Sequence, residues 1–94
     1  MIDRNEAHRI AVAQLELIPT RWLPPGDTLM LVENATLEFP KGWVFFYQSR
    51  LYLQTGEFSH KLLGNRPFLV KRFDGEVCWL PILKPIEESV SEVN

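Results

Sequence analysis

The run Trp43-Val44-Phe45-Phe46-Tyr47-Gln48 constrains this chain most. It is too short and too uniformly apolar for an amphipathic surface helix, and Pro40-Lys41-Gly42 sets it off as a hairpin connection would. It reads as a central strand covered, at least in part, on both faces.

The rest of the chain is read around that strand. Asp3 to about Leu17 is expected to be a helix, with Asp3 as its cap and Glu6 three residues later at capping-box spacing. Ala7, Ile10, Ala11, Leu15 and Ile18 form one apolar stripe, and Pro19 ends the helix. Thr20 to Asp27, with Pro24-Pro25-Gly26, is a loop, and the ring of Trp22 within it is expected to plug the edge of a core. Thr28 to Phe39 reads as a strand bulged near Asn34-Ala35, because Leu29 and Leu31 need not share a register with Leu37 and Phe39. Leu51-Tyr52-Leu53 either continues the central strand or makes a short turn before Thr55-Gly56. Phe58, Leu62 and Leu63 fit one helical turn closed by Gly64. Pro67 to Phe73 and Glu76 to Leu80 are strands joined at Asp74-Gly75, with Val77 and Trp79 facing opposite Glu76 and Cys78. Lys84-Pro85 opens a last helix carrying Ile86, Val90 and Val93. The fold class that follows is α+β: an N-terminal helix, a four-stranded, mainly antiparallel sheet and a short C-terminal helix, with the helices on one face.

At 94 residues the chain has room for one domain, residues 1–94, and its 46% hydrophobic and 12% aromatic content suffices for a packed interior. The net charge of −2 is spread over the chain with no Lys/Arg cluster, so nucleic acid is not an expected partner. No run approaches the roughly 18–20 apolar residues of a membrane span. The charged start lacks a secretory core, which makes Asn34-Ala35-Thr36 a chance sequon. Cys78 is the one cysteine, which excludes an intrachain disulfide and fits a reducing, cytoplasmic setting.

A search for chemistry yields no catalytic, cofactor-binding or metal-ligating set. His8 and His60 lie far apart without a second ligand at metal spacing. Cys78 has no neighbouring base, and Glu33, Glu38, Glu57 and Glu76 stand singly. The glycines mark turns, not a phosphate loop. Gly64-Asn65 before Pro67 reads first as a structural corner, and Asn65 and Arg66 on such a loop are candidates for a contact surface.

Taken in order, Gly42 to Ser49, Tyr52 to Gly56, Leu63 to Val70, Asp74 to Val77 and Lys84 to Glu88 resemble the immunity protein 35 family, also called the YrhB domain. The resemblance covers nearly the whole chain and departs where Pro81-Ile82-Leu83 stands in place of a glycine-containing stretch. It implies a bacterial polymorphic-toxin immunity protein, not an enzyme, whose partner is a cognate protein toxin blocked by stoichiometric binding. Some members of the family imply the alternative, a chaperone-like protein for unfolded clients. Trp22, Asn65, Arg66, Phe73 and Trp79, on expected loops and edges, are the candidate partner-binding residues. Pairing of two copies into a homodimer through an edge strand stays open.

Overall fold

A computed structural model describes residues 1–93. Helix α1, Arg4–Glu16, starts as expected: the Asp3 carboxylate accepts from the Glu6 backbone N–H at 2.8 Å. The box is only half closed, because the Glu6 side chain turns instead to Arg9 at 3.1 Å. Ala7, Ala11 and Leu15 are buried, and Ile10 and Ile18 pack beside them.

Strands β1 (Leu29–Leu31), β2 (Leu37–Phe39), β3 (Gly42–Phe45) and β4 (Tyr47–Ser49) come from the two strands expected over 28–39 and 43–48. Both are broken at matching places. Leu31 pairs with Tyr47 and Leu37 with Val44, so residues 32–36 on one side oppose only Phe45 and Phe46 on the other. The surplus is absorbed by a 3₁₀ turn at Glu33–Ala35. The anticipated bulge is therefore present, but large enough to divide one long hairpin into two sheets. Both oxygens of Glu33 in that turn lie within hydrogen-bond reach of His8 Nε2, at 2.9 and 3.0 Å, which ties the turn to α1.

The larger sheet is antiparallel in the order β2-β3-β5-β6, where β5 is Phe68–Lys71 and β6 is Val77–Trp79; β1 and β4 form the smaller one. Helix α2, Arg50–Thr55, follows β4 directly. Neither a continued strand nor a bare turn forms there, because two side chains cap the first turn. Ser49 accepts from the Tyr52 N–H at 3.2 Å, and Asp27, from the distant α1–β1 loop, accepts from the Leu51 N–H at 3.1 Å. Phe58–His60 is a 3₁₀ turn, and α3, Ile86–Ser91, starts after Pro85.

β3 is buried throughout, as its composition requires. Trp43 and Phe45 face α1 together with Phe68 and Val70, whereas Val44 faces α3 together with Leu69, Leu80 and Val90. The helices thus lie on opposite faces of the sheet, which corrects the one-face expectation. A strand apolar on both sides needs cover on both sides, and α3 supplies the second layer with Ile86, Val90 and Val93. Cys78 is on the α3 side and Val77 on the α1 side, in the alternation expected.

Candidate functional site

Asn65, Arg66 and Trp79 are brought together at one end of the β5–β6 hairpin. The connecting loop is held down by polar side-chain bonds. Gln48 donates from Nε2 to the Leu62 carbonyl and accepts from the Leu62 N–H, both at 2.9 Å. Gly64 adopts φ +76°, a turn that favours glycine. Asn65 Nδ2 then donates to the Tyr47 carbonyl at 2.7 Å, and Pro67 is buried. Asn65 is therefore the corner its sequence context suggested, and its amide is engaged inside the fold.

Arg66 is exposed, and its Nε donates to the Leu80 carbonyl at 2.9 Å. That bond orients the guanidinium beside the end of β6 and leaves its two terminal nitrogens outside it. The Trp79 ring rests edge-on against Phe68, 5.2 Å between centroids, and against Tyr47 at 6.3 Å, with 36% of the residue exposed. The Tyr47 hydroxyl is pushed up from its ordinary value by burial, against the opposing pull of Arg66.

Three exposed apolar residues lie in the segments that flank this end of the hairpin. Leu63 is 71% exposed and Leu83 95%, and Ile82 is half exposed. The Ile82 Cδ1 atom lies 4.0 Å from where a Cβ on Gly64 would stand, so the loop and the segment after β6 are neighbours. The signal for Ile82 and Leu83 was the apolar run Pro81-Ile82-Leu83, which has no place in a strand or in the α3 stripe. β6 is also an edge of its sheet. Leu80 N–H bonds to the Pro67 carbonyl and Lys71 N–H to the Glu76 carbonyl. With hydrogen-bonded pairs alternating along an antiparallel ladder, the backbone groups of Val77 and Trp79 turn away from β5.

Phe73 and Trp22 do not join this surface. Phe73 lies past the other end of β5, roughly 15 Å from Trp79 at strand rise, and is 77% exposed. Trp22 does not plug a core edge: it is 56% exposed, with its indole N–H donating to the Pro19 carbonyl at 2.6 Å. Its neighbour Leu23 packs against the α1-side core instead.

The chemical inventory is spare. The thiol of Cys78 is pushed up by burial first and by the adjacent Glu76 carboxylate second, the opposite of what a nucleophile needs. Among the described residues, no three His, Cys, Asp or Glu side chains gather as a metal site would require. No helix among them is long and apolar enough to cross a membrane. The arrangement can offer apolar contact, a guanidinium and an open strand edge.

Residues 5–92 match the family described as immunity protein 35. The chain is also similar to YrhB, an uncharacterized protein of Escherichia coli strain K12, at 37% identity over 54 residues. The aligned stretch covers 57% of this chain and 57% of YrhB, so the chain spans little more than half the length of that relative. No solved structure matches. Since the family match runs from the first turn of α1 past the end of α3, the chain belongs to the immunity protein 35 family.

Proposed function

We propose that this protein binds a cognate toxin protein and neutralises it by stoichiometric steric cover. The observation that carries the reading is the surface of Leu63, Arg66, Trp79, Ile82 and Leu83 beside an open strand edge, in a chain of an immunity-protein family. Trp and Arg are the residue types that most often anchor protein interfaces, and here both are held in place from behind, Trp79 by Phe68 and Tyr47 and Arg66 by the Leu80 carbonyl. Little ordering entropy is lost when such groups bind. A stable complex would bury roughly 1,200–2,000 Å² in total, about half of it on this protein. A partner strand added to β6 would satisfy the Val77 and Trp79 backbone groups and align the complex.

The test begins with tagged protein from the source cells and intact-complex mass spectrometry to identify the partner. Binding of that partner is then measured for Trp79→Ala, Arg66→Ala and Leu83→Asp. Each is expected to weaken the complex, Trp79→Ala by roughly 30-fold or more. Unchanged affinity in all three would remove the function from this surface. The exposed Ile82-Leu83 run also suits a second reading, a chaperone-like protein that holds unfolded chains. That reading requires suppressed aggregation of unrelated clients without a dominant one-to-one complex, and a defined complex with inert behaviour toward clients would refute it.

A further inference from the structure

A second feature lies away from that surface, where the β2–β3 and β5–β6 hairpins meet. A cleft of about 300 Å³ is lined by Met1, Pro40, Lys41, Lys71, Arg72 and Phe73. Half of these residues are cationic and none is acidic, in a protein whose net charge is −2. The cations are positioned by the fold. Arg72 stacks on the Trp43 ring, 4.2 Å from its centroid, and donates from Nε to the Pro40 carbonyl at 3.1 Å. Its Nη2 donates to the Phe39 carbonyl at 2.9 Å and to Glu38 at 3.0 Å. Those bonds leave Nη1 and its two hydrogens over. Among the described residues, Lys41 Nζ donates to the Ser91 carbonyl at 2.9 Å and to the Val93 carbonyl. Lys71 meets Glu76 only at a long 3.5 Å. Beside these groups stands the Phe73 ring, 77% exposed, which packs no core.

We propose that this cleft takes a glutamate or aspartate side chain of the protein partner, with an adjacent apolar residue of the same segment against Phe73. Charge complementarity sets the occupant: a carboxylate matches the Nη1 end of a guanidinium held over the Trp43 ring, in a cleft that Lys41 and Lys71 also line. The apolar wall of Phe73, Met1 and Pro40 favours a peptide over a bare anion. The inference rests on the neutralisation reading in one respect, that the occupant belongs to a protein.

The experiment is a titration of the whole chain, observed by ¹H–¹⁵N correlation spectra, with a capped Gly-Phe-Glu-Gly peptide, its Gly-Phe-Gln-Gly counterpart and inorganic phosphate. The glutamate peptide is expected to give saturable shifts confined to Lys41, Lys71, Arg72 and Phe73 and their chain neighbours. The glutamine peptide should bind at least 10-fold more weakly, and Phe73→Ser and Lys71→Gln should each weaken the glutamate peptide at least 5-fold. Both substitutions are at a turn and a strand end, and Arg72 is kept intact because it braces the hairpins. No saturable shift, equal binding of the glutamine peptide, phosphate binding as tight as the peptide, or shifts centred on Trp79 and Leu83 would each overturn the proposal. No toxin is used, so failure here leaves the neutralisation reading standing. Failure to form a toxin complex would leave carboxylate recognition standing in turn.

Discussion

Gly42→Ala is expected to be the most damaging of the five glycine-to-alanine substitutions in this protein. Gly42 has φ +154°, and a Cβ there would lie 2.1 Å from the Val70 carbonyl oxygen and 3.0 Å from the Arg72 nitrogen. Carbon–oxygen contacts between paired strands run about 3.3 Å, so β3 and β5 would have to part by more than about 1 Å. Both obstacles are backbone, and neither can rotate away. The parting would disturb the bond from Arg72 N–H to the Lys41 carbonyl, now 2.8 Å, and the end of the β3–β5 ladder at Gly42 and Lys71. One or two backbone groups left unpaired cost about 1–3 kcal/mol each, and the strained φ adds about 1–3 kcal/mol. The total is about 2–9 kcal/mol, against roughly 5–14 kcal/mol for the whole stability of a domain this size. Gly26→Ala is the control: its φ is +85°, with nothing within 4 Å of the new Cβ, so it should cost only the left-handed strain of about 1–2 kcal/mol. Urea unfolding of both variants, followed by far-UV circular dichroism, separates crowding from strain. A Gly42→Ala midpoint equal to that of Gly26→Ala would refute the reasoning, because the close approach of the two strands would then cost nothing.

Three other perturbations have definite outcomes. Asp27→Ala should destabilise by about 2–3 kcal/mol, since the Leu51 N–H and the buried Ser49 hydroxyl both lose a charged acceptor; urea unfolding at pH 7 measures it. Burial raises the Asp27 carboxyl, but the bonds from Ser49, Leu51 and Thr28 and the charge of Arg50 outweigh it and hold the group below its ordinary value. Its contribution is therefore present above the unfolded-state value and lost as pH falls through the lower folded value, so thermal melts should show the wild type converging on Asp27→Ala in strong acid. Cys78 should react with a thiol reagent at pH 8.5 more slowly than a cysteine peptide does and reach the peptide's rate on unfolding, because burial and Glu76 both disfavour its thiolate. Leu69→Ala, at a fully buried site on the α3 side, should cost about 2–5 kcal/mol by urea unfolding, and a value under 1 kcal/mol would mean that α3 does not form a true second core.

How far the sequence reaches depends on whether the deciding contact is local. The cap of α1, the two-sided burial of β3, the β5–β6 hairpin and the alternation of Val77 and Cys78 follow from neighbours a few residues apart, and all are readable. Helix α2 is not: Leu51-Tyr52-Leu53 has strand-like composition, and the carboxylate that turns it into a helix is Asp27, 24 residues away. The split into two sheets was half readable, since residues 32–36 break the alternation, but the size of the bulge depends on the opposing strand and on His8. The apolar stripes of α1 and α3 identify faces to be buried without saying on which side of a sheet. At the candidate surface, Arg66 and Trp79 were found by residue type and position, whereas Leu63, Ile82 and Leu83 belong to it through a loop-to-loop approach that spacing does not encode.

The two-sided burial of β3 and β5 also bears on how the molecule breathes. Amide hydrogens of Trp43, Phe45, Phe68 and Val70 bond between β3 and β5 with a layer on each side, so they should exchange with solvent only when the whole fold opens. Those of β6 and the 61–66 loop hang on the outside and exchange through small local openings. A partner that grips only the rim would slow exchange there directly. It would also slow exchange at Trp43 and Val70, which it never touches, because their openings must wait for its release, by a factor of about 1 + [L]/Kd.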